Sequence, residues 1–414
     1  MLRISTAQSF DAGIDRLLQR QRELSDVQEH LVSGKRVTKA SDDPSAAARA
    51  ERALASVARS ESNQRALETS RHAMTMTEGA LADAGELMQQ AHESLVAAGN
   101  GSYSDTERAG VADRLAAIRQ QLLAIANRGD GEAGFLFSGQ GGSQAPFIDA
   151  PGGVSFRGTA GEVPVAGDEP LPRSIDGQAA WLASPSGNGL FETRNAAAAP
   201  DAGGSWIDSG SVTDPATFYA ATSPPAAANP AALTYRINFT TGPGATTFSV
   251  LKDGAATALT NAPYVGGQAI EIDGMAFTVS GTPAAGDAFE IKLAGPSLGV
   301  FGTLDRAIDE LKRPLRSSAA TTQTVQRALA DLGGSLTALQ SLRGRVGEVL
   351  NRADMVEGRI SALSLAAQTE RSNAEDLDMV KALSDFQSRQ TGYEAALKTY
   401  SSVQRMSLFQ YLNL

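Results

Sequence analysis

Leu17, Leu24 and Leu31 recur every seventh residue with Ile14 on the same stripe, which predicts an amphipathic helix over residues 1–33 with a coiled-coil-like seam. Ser33-Gly34 suits the end of that helix. Asp43-Pro44 reads as an N-cap followed by proline at the first helical position, where its missing N–H costs nothing. Residues 34–43 are therefore a break between two helices. The second helix is far longer. Leu67, Met74, Leu81, Met88 and Leu95 repeat by sevens with Ala84, Ala91 and Ala98 three behind, predicting one helix from Pro44 to about Ala98. Gly99-Asn100-Gly101 turns the chain, and Ser104-Asp105-Thr106-Glu107 is a capping box. Val111, Leu115, Ile118, Leu122 and Ile125 then carry a third helix, antiparallel to the second, to Asn127-Arg128-Gly129, so that rod helices fill residues 44–128.

From about Gly131 the period changes, and Phe135-Leu136-Phe137-Ser138-Gly139 opens a stretch of strand and turn character. Residues 146–298 are rich in Gly, Pro, Ala, Ser and Thr. Tyr235, Ile237 and Phe239 alternate, as do Phe248 and Val250, with Gly242-Pro243-Gly244 between the two runs. AIEIDGMAFTV reads as a hairpin whose two-residue turn is Asp273-Gly274, and Phe289, Ile291 and Leu293 mark a further strand. The tracts Ala196 to Pro200 and Ser223 to Pro230 read as loops within this β-rich region.

Helical patterning returns near Val300, where Leu304, Ile308 and Leu311 lead to Pro314. Val325, Leu332, Leu339, Val346, Ala353 and Ile360 then repeat by sevens, predicting a second very long helix to about residue 370. Ser372-Asn373-Ala374-Glu375 is a candidate capping box for a terminal helix over about 373–414, whose seam holds Met379, Leu383, Phe386, Tyr393, Leu397 and Tyr400. The two ends mirror each other, each a helix, a polar break and a long heptad helix. The expected fold is α+β and elongated: a long antiparallel helical coiled-coil rod from both termini (residues 1–145 and 299–414) with an inserted all-β-rich central domain (146–298).

Composition sharpens this picture. At 414 residues the chain is too long for one core, so two or three units are expected. Aromatics are 6% and alanine is abundant, which favours helix-on-helix packing. A formal charge of −10, with no basic stripe interleaved with aromatics, argues against nucleic acid as a partner. The absence of cysteine removes disulfides, thiolate metal ligands and cysteine nucleophiles. No apolar run is long enough for a secretory signal or a membrane span, so membrane insertion is not expected, and any export would proceed without a cleaved signal of the usual kind.

Candidate chemistry is sparse. Ser249-Val250-Leu251-Lys252 matches an SxxK pattern, but it falls in an expected strand without its companion motifs, so chance explains it. His30, His72 and His92 read as solvated helix histidines, with no spacing that would pair two on a metal. Gly139-Gln140-Gly141-Gly142 does not lead into a helix and reads as a domain hinge rather than a phosphate loop. Asp42-Asp43 could be a metal or acid–base pair, but Asp43 is already a cap. No catalytic, cofactor-binding or metal residue is assigned, and no cofactor is expected.

LVSGKRVTKASDDPSAAARA resembles the break of the bacterial flagellin superfamily, and ISTAQSF, the DDP form, GFLFSG and the closing SLFQYL resemble its hook-associated branch. TYRINF, WIDSGSVTDPATF and GQAIEIDGMAFTVSGTPAAGDAFEIKL extend the similarity into the middle, and Gly34, Asp42, Asp43 and Pro44 carry the break motif. The resemblance implies a structural protein that is secreted unfolded through the flagellar channel and forms an extracellular ring at the hook–filament boundary. Implied partners are further copies of itself, hook-associated protein 1, flagellin, and an export chaperone at the C-terminal helix. It also implies that the break lets one chain supply a short helix to an inner layer and a long one to an outer layer. Lys35, Arg36 and Lys39 would lie near subunit contacts or in a solvated loop.

Two other readings stay open. One is an atypical flagellin that polymerises into the filament. The other is a surface enzyme or carbohydrate binder in residues 146–298, where Trp181, Trp206 and Tyr219 either form a sugar platform or are buried β-domain aromatics.

Ordering a residue costs roughly 1–2 kcal/mol of backbone entropy, whereas burying a leucine returns about 1.5–3 kcal/mol. The terminal seam is thin and interrupted by Gln21, Gln28 and Gln390, so the terminal pair is marginal alone and is expected to order on assembly. Hydrogen exchange on the isolated chain should be fast at both ends and slow in the core; the reverse order would contradict this.

Overall fold

The computed structural model describes residues 6–131, 134–165, 167–196, 204–223, 233–242, 244–295 and 298–412. In chain order the elements are α1 (Thr6–Ser33), α2 (Pro44–Ala98), α3 (Asp105–Ala126), β1 (Phe147–Ala150), β2 (Gly153–Phe156), α4 (Gly177–Trp181) and β3 (Phe191–Asn195). There follow β4 (Gly204–Ile207), β5 (Ser211–Val212), α5 (Pro215–Thr222), β6 (Thr234–Thr241), β7 (Thr246–Lys252), β8 (Ala255–Ala256) and β9 (Ala262–Pro263). The last are β10 (Ala269–Ile272), β11 (Met275–Thr282), β12 (Ala288–Leu293), α6 (Val300–Lys312), α7 (Ser318–Glu375) and α8 (Met379–Leu412). Contacts divide the chain into two compact units, Met1–Arg65 with Met355–Leu414, and Ala66–Asp354. Both boundaries fall inside the long helices α2 and α7.

The larger unit holds the helical core. Leu67, Met74, Leu81, Met88 and Leu95 of α2 are buried, as are Val325, Leu332, Leu339 and Val346 of α7, so the heptad positions form the interior. Leu115, Ile118 and Leu122 of α3 and Phe301, Leu304 and Leu311 of α6 complete the same cluster. At α3 the capping box is formed: Glu107 N–H donates to Ser104 Oγ at 3.3 Å and Ser104 N–H to Glu107 Oε2 at 2.7 Å. The buried guanidinium of Arg119 on α3 donates to Asp149 of β1 at 2.6 and 2.8 Å and to Asp305 of α6 at 3.0 Å. Those partners offset the cost of removing the charge from water.

The β region has its own core. The β1–β2 hairpin stands apart, β3-β12-β6-β7-β8 form one sheet with β9 beside β7, and β10-β11-β4 form another with β5 beside β11. All named pairings are antiparallel. Ile237 pairs with Val250 and Phe239 with Phe248, so the alternating residues face one interior. The Asp273-Gly274 turn has φ of 48° and 76°. Left-handed geometry at both positions matches the twist of the flanking strands. Asp273 also accepts from Tyr235 Oη at 2.6 Å and Lys252 Nζ at 2.7 Å, tying the turn to β6 and β7.

Several expectations are corrected. Gly139-Gln140-Gly141-Gly142 is not a hinge between units. Gly139 N–H donates to Ile175 O at 3.0 Å and Gln140 N–H to Thr159 O at 2.8 Å, both within the larger unit. A Cβ on Gly139, where φ is +66°, would sit 2.0 Å from Thr159 O. Trp181 is buried, but in the helical core, where it stacks on Phe301 at 5.9 Å and meets Phe137 edge-on at 5.4 Å. Trp206 is half-buried and Tyr219 is 73% exposed. The three aromatics therefore form neither a buried β cluster nor one platform. Pro243 and the expected loop residues 197–200 and 224–230 lie outside the described residues.

Met88→Ala removes a fully buried side chain of α2 and should cost about 2–5 kcal/mol in denaturant unfolding. Val96→Ala, on the exposed side of the same helix, should stay within about 0.5 kcal/mol.

Candidate functional site

The smaller unit contains the terminal pair and the break. Helices α1 and α8 run antiparallel: Gly13 lies against the Tyr400 ring, Arg20 Nη1 donates to Gly392 O at 2.8 Å, and Arg389 reaches Glu23 at 3.4 Å. A Cβ on Gly392 would stand 3.1 Å from Arg20 Nη1, the far end of a flexible side chain, and one on Gly13 would make ordinary contact with the Tyr400 ring.

The residues of the expected seam are only partly covered. Leu17, Leu24 and Leu31 of α1 and Phe386, Tyr393 and Tyr400 of α8 are half-buried. Ile14 is 42% exposed, Met379 and Leu383 are 52% exposed, and Leu397 is also exposed. Val32 and Val380, off the predicted stripe, are 86% and 83% exposed. On α7, Met355, Leu363 and Leu365 are exposed beside buried Ala353 and Ile360. These five lie off the sevens, so periodicity did not select them.

The break is a joint between two chain segments. α1 ends at Ser33, and Gly34 adopts φ of +70° to leave the helix. Arg36 N–H donates to Glu375 O at 2.7 Å, Leu377 N–H donates to Gly34 O at 3.0 Å, and Lys35 and Asp376 form a β-bridge. The Arg36 guanidinium donates to Ala374 O at 2.8 Å and to Asp43 Oδ2 at 3.3 Å. Lys35 pairs with Glu375 at 3.3 Å and Lys39 with Glu29 at 3.1 Å, so all three basic residues have partners inside the chain. His30 is half-buried and its Nδ1 lies 2.9 Å from Lys35 O, which corrects its reading as a solvated side chain.

Asp43 caps α2 as expected, accepting from Ser45 N–H at 3.1 Å and Ala46 N–H at 3.0 Å. Asp42 caps the turn before it, accepting from Thr38 N–H at 3.0 Å and Lys39 N–H at 2.8 Å. Neither carboxylate is placed as an acid–base dyad. The Ala46 amide, the Ser45 hydroxyl and Arg36 together hold Asp43 down at about 2. Amides of Lys39 and Thr38 likewise lower Asp42. Pro44 occupies the first helical position. The second break differs from expectation: α7 continues through Ser372-Asn373-Ala374-Glu375 as helix, and the cap of α8 is Asp378, accepting from Val380 and Lys381 N–H at 3.1 Å each. The S-x-x-E pattern was real, but Glu375 is used instead for Lys35 and Arg371.

Elsewhere, Ser249 and Lys252 are three apart on β7 and point to opposite faces, so they cannot act together. Among the described residues no group of three or more His, Asp or Glu is placed to hold a metal ion, and no helix is long and apolar enough to cross a membrane.

Family comparison places this site. Residues 4–141 match the bacterial flagellin N-terminal helical region and residues 329–412 the bacterial flagellin C-terminal helical region. The chain belongs to the flagellin family. It is similar to flagellar hook-associated protein 3 of Salmonella typhimurium, 26% identical over 99% of both chains. It also resembles the crystal structure of the flagellar junction protein FlgL from Legionella pneumophila at 27% identity and TM-score 0.64, covering 71% of this chain and 95% of that one. The Xanthomonas campestris FlgL structure matches at 25% identity and TM-score 0.66, covering 78% and 99%. The two matched helical regions carry both breaks and the terminal pair.

Asp43 yields a pH prediction. Its folded value, about 2, lies below the ordinary 3.8, so the stability it contributes is present above pH about 4 and lost as pH falls through about 2. Carboxyl NMR should give a midpoint near 2 for Asp43. Asp43→Ala should quicken amide exchange at Ser45 and Ala46 at neutral pH; a midpoint near 3.8 with unchanged exchange would refute the cap.

Proposed function

We propose that the chain is a structural component of the bacterial flagellum, forming the junction between hook and filament and needed for filament attachment and motility. The observation that carries this reading is the uncovered apolar seam of α1 and α8 in a flagellin-family chain that matches hook-associated protein 3 from end to end. An exposed seam of this kind gains stability when a neighbouring molecule removes it from water.

In this reading copies of the chain form a ring. Ile14, Leu17, Leu24, Leu31, Met379, Leu383, Phe386, Tyr393, Leu397 and Tyr400 meet neighbouring terminal helices, while Gly34, Asp42, Asp43 and Pro44 set where the short helix gives way to the long one. Hook-associated protein 1 lies on one side of the ring and flagellin on the other. The chain is secreted through the flagellar channel, with an export chaperone covering the C-terminal helix beforehand. The division into residues 1–145, 146–298 and 299–414 assigns assembly to the helical arms and leaves the β-rich part outside the polymer contacts. The role is structural, not catalytic.

An atypical filament subunit is the competing reading. A deletion strain should secrete flagellin into the medium while its hooks lack filaments, and electron microscopy with antibody against residues 146–298 should label only the hook–filament boundary. Label along the whole filament, or normal filaments in the deletion strain, would overturn the junction role. Leu383→Ser, at a site already exposed, should shift monomer stability by no more than about 0.5 kcal/mol and yet fail to restore swimming.

A further inference from the structure

A cavity of about 270 Å³ opens in the larger unit where β3, α6 and α7 meet. The chain is acidic overall, yet five arginines line this cavity: Arg194, Arg306, Arg313, Arg316 and Arg327. Three have close carboxylates. Arg194 Nε donates to Glu290 at 2.8 Å, and Arg313 and Arg316 lie 3.2 and 2.6 Å from Glu310. The other two share one. Arg306 stands 3.4 Å from Asp331, whose other oxygen accepts from Gly187 N–H at 2.8 Å. Arg327 is 3.9 Å from both Asp331 and Glu192, beyond hydrogen-bond reach, and its buried Nε–H has no hydrogen-bond partner.

The cavity thus holds a donor without an acceptor. Burial and the facing Arg306 charge push the Arg327 guanidinium down, so its present carboxylates do not fully offset the cost of burying it. Asn195, on the same wall, has the opposite deficit: its buried Oδ1 accepts no hydrogen bond. Buried polar atoms in folded proteins are normally paired, and two complementary orphans lining one cavity call for a group that supplies both an anionic acceptor and a hydroxyl donor. Guanidinium forks suit carboxylate and phosphate oxygens alike. The volume lies just below the ~300–1,000 Å³ typical of pockets for drug-sized molecules, which fits one sugar-sized ring.

We infer that this arginine-lined cavity binds a small hydroxylated oxyanion, of the class of a hexuronate or a sugar phosphate, with the acid group against Arg306 and Arg327 and a hydroxyl donating to Asn195 Oδ1. The site is separate from the terminal helices and is independent of the junction role.

Isothermal titration calorimetry of the full chain with glucuronate, glucose 6-phosphate, inorganic phosphate and glucose tests it. One-to-one binding of glucuronate or glucose 6-phosphate is expected, and which of the two binds tighter tells carboxylate from phosphate. Inorganic phosphate should bind at least tenfold more weakly and glucose not at all. Arg327→Gln should weaken binding at least tenfold. Arg306→Gln, at a rim position 44% exposed on its side chain, should do so while the variant keeps its helical circular dichroism at the assay temperature. No heat with either hydroxylated anion, equal binding of inorganic phosphate, or affinity unchanged in Arg306→Gln would overturn the assignment.

Discussion

A long helix satisfies its own backbone but cannot by itself hide its apolar stripe, and where that stripe finds cover decides how each part of this chain behaves. In the larger unit the heptad positions of α2 and α7 are leucine, methionine and valine, and α3 and α6 bring further leucine, isoleucine and phenylalanine against them. Among its described residues the smaller unit buries mainly Ala46, Ala50, Ala53, Ala367, Ala374 and Ala382, with Val37, Val356 and Ile360 as the larger side chains. Alanine returns little free energy on burial, so the smaller unit has helices in place and little holding them. That imbalance leaves apolar side chains of the terminal helices exposed.

The joint at the first break shows how polarity substitutes for a core. Gly34 turns the chain with a backbone geometry that other residues resist, and Asp43 and Asp378 restart the two helices that follow the breaks. Arg36 and the backbone of Glu375 then bind one break to the other through direct hydrogen bonds. These contacts are directional, so they fix where each helix begins and ends even though they bury little surface.

The β region solves a different problem. Its strands pair antiparallel and enclose Tyr235, Ile237, Phe277, Phe289 and Ile291, so its main apolar cluster is covered within the chain. Asp273 illustrates the economy of the arrangement, since one residue supplies the left-handed turn and also accepts hydrogen bonds from Tyr235 and Lys252.

The sequence by itself determined α1, α2 and α3, because heptad spacing, capping residues and glycine positions act locally: α2 begins at Pro44 and ends at Ala98, where the pattern placed it. It also determined the Asp273-Gly274 hairpin and, through several separate motifs in order, the family. The tertiary structure alone decided that α7 runs through Glu375 and that Asp378 caps α8, since a capping box and a helical S-x-x-E are the same letters until a long-range partner such as Lys35 takes the glutamate. It alone placed Trp181 in the helical core and brought Arg194 of β3 to the arginines of α6 and α7 around one cavity. Local rules fix a backbone's period; which side chains meet across hundreds of residues depends on packing that no spacing encodes.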